Sequence, residues 1–169
     1  ITTGDGNVCI GYQANTPASD TNYAICLGQQ VTGVGSSNFT FGLGATDSNI
    51  AFGATSITAP SDIRLKEDIQ DATAGLGFIK DLRPVTFRWK QEQDVPSDMK
   101  AHVSGSTKRV MNEYYNHGFI AQEVKAVIDS HSDIKDGFDM WTEDEADGRQ
   151  RIGDASLMPI MVKAVQELS

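Results

Sequence analysis

A chain of 169 residues with 23 acidic against 14 basic side chains carries a formal net charge of −9. That balance disfavours DNA, RNA or an anionic membrane as partner, because phosphate binding needs clustered Lys and Arg. No apolar run approaches the roughly 20 residues of a membrane span, so membrane insertion is not expected. Two cysteines, Cys9 and Cys26, make neither a disulfide framework nor a metal site. The charge is unevenly divided. Residues 1–60 hold three acids (Asp5, Asp20, Asp47), no Lys or Arg, and nine of the 16 glycines; 61–169 holds every basic residue. Two domains follow from this, 1–60 and 61–169.

In the first half, four segments align on a glycine: VCIG (8–11), ICLG (25–28), FTFG (39–42) and IAFG (50–53). Each alternates bulky and small residues at period two, a strand signal. Val8 and Ile10, Ile25 and Leu27, Phe39 and Phe41, Ile50 and Phe52 share one face. Cys9, Cys26, Thr40 and Ala51 share the other, where cysteine acts as a small buried residue. Strands this short need stacking, within a solenoid or between identical chains. Glycine spacings of 17, 14 and 11 are irregular for a one-chain solenoid, so the expectation is an all-β, intertwined, β-helix-like stalk of three chains. GDGNVCIGYQA (4–14) resembles the G-x-N-x-x-I-G-x-x-A head and stalk repeats of trimeric adhesins and phage fibres.

The second half predicts an α+β domain. DATAGLGFIKDLRP (71–84) reads as a helix capped by Asp71, with Leu76, Ile79 and Leu82 on one face and Pro84 as the stop. VTFRWK (85–90) alternates as a half-buried strand, and 91–116 reads as an exposed loop or arm. In HGFIAQEVKAVID (117–129), Phe119 and Ile120 begin as strand, and Ile120, Val124, Val127 and Ile128 continue at helical spacing. FDMW (138–141) and RQRI (149–152) bracket an acidic turn as a hairpin. The last segment, SLMPIMVKAVQELS, spaces Leu157, Met161, Ala164 and Leu168 as a coiled-coil seam. A helix this short is marginal alone, so it is expected to meet its copies in a trimer. The alternative is packing on its own domain.

SDIRLKEDI (61–69), LRPVTFRW (82–89) with HGFIAQEV (117–124), and LMPIMVKAVQEL (157–168) stand in that order. Together they resemble the C-terminal intramolecular chaperone, or auto-processing, domain of phage tailspikes, tail fibres and neck appendages, the endosialidase type. The resemblance implies a domain that trimerises, helps a preceding β stalk to fold, and is released by self-cleavage before the serine of an S-D-x-R-x-K motif. It implies Ser61 as nucleophile, Lys66 as base and Pro60–Ser61 as the scissile bond, in a virion tail fibre or tailspike made in the host bacterial cytoplasm. The implied partners are its own copies in a homotrimer, the rest of the fibre, and a bacterial surface receptor.

The residues themselves say less. Ser and Lys at i and i+5 point to opposite faces of a strand and sit about 140° apart on a helix, so tertiary or neighbouring-chain contacts are expected to join them. Lysine activates serine only when neutral, which burial or a nearby cation such as Arg64 would favour. Asp62 and His117 are further candidates for site support, although a packed structural role also suits His117. His102, His117 and His131 show no ligand spacing, and GSTK (105–108) lacks the Walker pattern. No cofactor or metal is expected. Two other readings stand beside self-cleavage. One is a permanent, uncleaved cap of the fibre, in which Pro60 restricts how its carbonyl meets an attacking group. The other is receptor recognition by the loops 15–22 and 32–37.

Overall fold

The computed structural model describes residues 3–134 and 138–169. They form two compact units, Ile1–Ile69 and Gln70–Ser169.

The first unit is one four-stranded sheet, β1 (Val8–Ile10), β2 (Ile25–Gln29), β3 (Asn38–Leu43) and β4 (Thr46–Ala51). The first three strands are parallel and in register, with Val8 beside Ile25 beside Phe39 and Cys9 beside Cys26 beside Thr40. The repeats thus stack within one chain, which corrects the expectation drawn from the uneven glycine spacings. The backbone explains why. Left-handed φ values recur at Gly6, Tyr23 and Ser37, and again at Gln13, Gln30 and Gly44. Both series keep the 17- and 14-residue offsets of Gly11, Gly28 and Gly42. Each coil therefore repeats the same corners, and the surplus residues of the first coil are taken up between them.

The fourth repeat departs from this pattern. Only Gly44 and Ala45 separate β3 from β4, too little chain for a parallel crossover, so β4 returns antiparallel, with Phe39 opposite Ile50.

The small face is the interior of this unit. Cys26, Thr40, Ala24 and Val31 are buried, and the Thr40 hydroxyl is satisfied by donating to Asn38 Oδ1 at 3.1 Å and accepting from the Val34 N–H at 3.2 Å. Cys9 and Ala51, placed on the same face by alternation, are exposed. Both stand on outer strands of the sheet, β1 and β4, whereas Cys26 and Thr40 occupy its inner strands. The large face lies open in the single chain: Val8 is 45 % exposed, Ile10 59 % and Leu27 42 %.

The second unit contains α1 (Leu76–Asp81), β5 (Val85–Phe87), β6 (Asn116–Gly118), α2 (Ala121–Ser130), β7 (Trp141–Glu143), β8 (Gln150–Ile152) and α3 (Leu157–Glu167). Phe78, Leu82, Val124, Ile128, Met140, Leu157 and Ile160 form its core. Phe78 meets Phe138 edge-on at 5.7 Å between ring centres.

Several expected boundaries move. α1 begins after Gly75, and the Leu76 N–H is capped at 2.7 Å by the carboxylate of Glu167, 91 residues away, not by Asp71. The strand before α2 ends at Gly118, which leaves Phe119 outside it and Ile120 at the helix N-cap. β5 pairs antiparallel with β6, and β7 with β8 in a hairpin whose first strand is Trp141–Glu143 rather than 138–141, so Thr142 and Glu143 of the expected turn are strand. The 91–116 arm is tied down: Gln91 bridges to Arg109, Ser106 donates to Glu92 at 2.5 Å, and His102 Nδ1 meets the Val95 carbonyl at 2.8 Å. On α3 the inward face is Leu157, Ile160 and Ala164, while Met161 and Leu168 of the expected seam are exposed. The own-domain core outcompetes the 157/161/164/168 seam because Ile160, one residue away, fits the same side as Leu157 and Ala164.

The paired thiols give a test of the first unit. Burial, with a further contribution from neighbouring Cys9, pushes the Cys26 thiol up to about 11. In the folded chain at pH about 8, an alkylating reagent should label Cys9 alone, because the thiolate is the reacting form. Cys26 should label only on unfolding. Peptide mapping that finds equal labelling of both in the native protein would contradict this packing.

Candidate active site at the junction

Ser61–Ile69 follows the sheet in the first unit. Asp62 sets its conformation. At φ −69° and ψ 136° it stands as the N-cap of a 3-10 turn, Ile63–Leu65, and its Oδ1 accepts from the Arg64 N–H at 2.8 Å. The same carboxylate grips the Arg64 guanidinium, with Nε donating at 2.9 Å and Nη2 at 2.6 Å. Leu65 N–H donates to the Asp62 carbonyl at 3.0 Å and Lys66 N–H to the Ile63 carbonyl at 3.1 Å, closing the turn.

Reversing the chain over three residues brings positions i and i+5 together. Lys66 Nζ lies 2.7 Å from Ser61 Oγ. The expectation that tertiary or neighbouring-chain contacts must join them is therefore corrected: one capped turn suffices. A tight turn is neither strand nor helix, and the two periodicities considered for the sequence do not describe it.

A contact of this length suits proton exchange between a hydroxyl and an amine. As an ammonium, lysine donates to the serine oxygen; as a neutral amine, it can accept the serine proton. Arg64 is committed to Asp62 in an ion pair, so it is not the free cation envisaged beside Lys66. Ser61, Lys66 and the turn between them are exposed, and Ile63, Leu65 and Ile69 are 72 %, 69 % and 64 % exposed. An open cleft of about 420 Å³ borders the site, lined by Ala45, Thr46, Asp47 and Ser48 from the β3–β4 hairpin and by Ala59, Pro60 and Leu65.

The remaining candidate, His117, belongs to the second unit, where its Nδ1 stands 3.3 Å from Thr86 Oγ1 across the β5–β6 ladder. Sequence reasoning missed a pairing just before the site: Asn49 of β4 and Thr58 exchange backbone N–H···O=C bonds, both 2.8 Å. Thr58 stands in no alternating run, and no local signal marks the pairing. Among the described residues, no group of three or more His, Cys, Asp or Glu could hold a metal ion, and no helix is long and apolar enough to cross a membrane.

Residues 61–133 match the family model described as chaperone of endosialidase. Within the second half of the chain, this match supports a C-terminal intramolecular chaperone domain, and it opens on Ser61. The family supports an intramolecular chaperone role in phage tail proteins and hence a place in the virion, and its peptidase designation points to self-cleavage. No curated protein and no solved structure matches the chain.

Asp62 provides a pH test of the turn. Hydrogen bonds from the Arg64 side chain, then its backbone N–H, hold the Asp62 carboxyl below its ordinary range. A lowered folded-state value means the turn's stabilisation is present above the ordinary carboxylate pKa of about 3.9 and lost as pH falls through the lowered one. An NMR titration of the Asp62 carboxyl carbon should give a midpoint below about 3.9. Asp62→Ala should displace the Arg64 amide resonance at all pH values. A midpoint at or above the ordinary value would mean that the capped turn does not persist in solution.

Proposed function

We propose that this chain is the C-terminal part of a phage tail fibre or tailspike in which residues 61–169 drive trimerisation and folding of a stalk, residues 1–60, and then leave by autoproteolysis at Pro60–Ser61. The observation that carries this reading is the 2.7 Å Ser61–Lys66 contact at the first residue of the family match. Lys66, as a neutral amine, takes the Ser61 hydroxyl proton while Oγ attacks the Pro60 carbonyl carbon. As the new C–O bond forms and the Pro60–Ser61 C–N bond breaks, Lys66 returns that proton to the departing Ser61 nitrogen. Water then cleaves the ester, leaving a Pro60 carboxylate and a Ser61 with free amine and restored hydroxyl. Each chain reacts once, on a substrate held covalently in place.

A parallel homotrimer is the working assembly, with the rest of the fibre as further partner. Two uncovered apolar surfaces support it. One is the large face of the sheet, where Val8, Ile10 and Leu27 are exposed and Ile25, Phe39 and Phe41 half-buried. The other is the outer face of α3, where Met158, Met161, Val162, Val165 and Leu168 are exposed at the i, i+3, i+4, i+7 spacing of a helix-pairing seam. That seam lies beside the one expected from the sequence.

Intact mass and light scattering on the purified chain test the reading together. The wild type should give two fragments, 1–60 and 61–169, while Ser61→Ala stays full-length and trimeric. Lys66→Ala should slow cleavage by roughly 10²–10⁴-fold. Lys66→Arg should fail as well, because a guanidinium stays protonated. A wild-type trimer that remains intact on long incubation would leave the permanent cap as the function; a stable folded monomer would end the trimeric reading.

The chaperone role has its own check. Residues 1–60 expressed alone should yield far less soluble trimer than the same residues with 61–169 attached, since three separate chains must find register before any apolar row is covered. Equal yields would make the second domain dispensable for folding.

A further inference from the structure

The Pro60–Ser61 bond lies between two fixed points of the first unit. After it comes the Asp62-capped turn that seats Lys66 on Ser61. Before it, Thr58 is pinned to β4: Thr58 N–H donates to the Asn49 carbonyl and Asn49 N–H to the Thr58 carbonyl, both at 2.8 Å, with Thr58 Oγ1 3.5 Å from the same Asn49 oxygen. Two residues separate the pinned pair from the nucleophile, and neither is free. The ring of Pro60 fixes its φ, and a residue before proline, here Ala59, is confined to extended backbone. The hairpin end Ala45–Ser48 and the pair Ala59–Pro60 line the same cleft.

We propose that the Asn49–Thr58 pair and Pro60 form a clamp that positions the Pro60 carbonyl for Ser61, so that the β4 edge of the stalk is a working part of the processing site. This rests on the autoproteolysis reading above and extends the site upstream of the family match, which begins at Ser61. Serine attacking the carbonyl of its own preceding residue must close a five-membered ring, whose geometry is set by rotation about the Ser61 N–Cα and Cα–Cβ bonds; a loose chain on either side lets the first of these rotations wander. Fixing both sides of the bond removes that wandering before the reaction starts; a misplacement of about 1 Å can cost roughly 10²-fold in rate. Pro60 then acts as a stiffener between clamp and nucleophile. The clamp also ties cleavage to folding, because the Asn49–Thr58 pair requires a formed β4.

The test follows cleavage of the full chain by intact mass across a pH series. Pro60→Gly frees φ at the scissile residue, and Thr58→Pro deletes the N–H that reaches Asn49. Both should slow cleavage by about tenfold or more at every pH, with the shape of the pH profile unchanged because the dyad is untouched. Ser56→Ala, in the same loop but outside the pair, should cleave as the wild type does. Pro60→Gly cleaving at the wild-type rate or faster would overturn the clamp and leave autoproteolysis standing. A shifted pH profile would also overturn it, since Pro60 would then be acting on the dyad. Should Thr58→Pro fail to fold, Pro60→Gly decides alone, because Pro60 has no N–H to lose. A wild-type chain that never cleaves overturns both the clamp and the reading beneath it.

Discussion

The close approach of Gly11, Gly28 and Gly42 governs the first unit. A Cβ on Gly11 would stand 2.2 Å from the Gly28 carbonyl oxygen, and one on Gly28 would stand 1.9 Å from that of Gly42. Their φ values of 130°, 131° and 143° are also ones that L side chains rarely adopt. The strands can therefore lie directly over one another with no shift, and that register decides the rest. It stacks Cys26 on Thr40 in a narrow interior with no room for large side chains. It aligns the big apolar residues in rows on the other surface. It also sets where β4 returns, and hence where Thr58 is held.

That division of faces reverses the usual economy of a small domain. The interior is built from small residues and the satisfied hydroxyl of Thr40, while the best hydrophobic material lies outside. Burying one Ile, Leu or Phe side chain contributes about 1.5–3 kcal/mol, so leaving several exposed forgoes much of the stabilisation available to the chain. The outer face of α3 repeats the pattern in the second unit, where a helix already packed by Leu157, Ile160 and Ala164 keeps a second apolar stripe. The trimer proposed above would cover these faces and recover part of that stabilisation. An assembly-dependent chaperone fits that energetics better than a free-standing enzyme does.

The junction is built on different principles from either unit. Its contacts are polar, local and exposed, and exposed ion pairs such as Asp62–Arg64 contribute little to stability. Their effect is conformational. Asp62 caps a turn too short to persist by itself, and the turn places Lys66 on Ser61. Upstream, the Asn49–Thr58 pair gives the four-stranded sheet a hold on the same stretch of chain. The cleavage proposed above would not break the sheet's own contacts: Thr58, which pairs with Asn49 of β4, precedes the proposed scissile bond.

Local pattern alone made several features legible. Alternation identified β1 to β3 and the half-buried run of Val85, Phe87 and Trp89, and helical spacing marked α2 through Val124 and Ile128. The charge asymmetry pointed to a junction near residue 61, where the compact units divide between Ile69 and Gln70, and the family resemblance, not local pattern, singled out Ser61 and Lys66. The alternation and the helical spacing are readable because each depends on side chains a few residues apart. Tertiary structure decided what depends on distant partners. Glu167, not Asp71, caps α1; Ile160, not Met161, fills the core beside Leu157; and the first three repeats stack on one chain because equal backbone corners matter more than equal loop lengths. The Asn49–Thr58 pairing is of the same kind, since backbone hydrogen bonds carry no side-chain signature. The Ser61–Lys66 contact lies between the two cases. Its residues were named by the family resemblance, but the 2.7 Å approach came from a capped turn whose geometry matches neither the two-residue nor the 3.6-residue period.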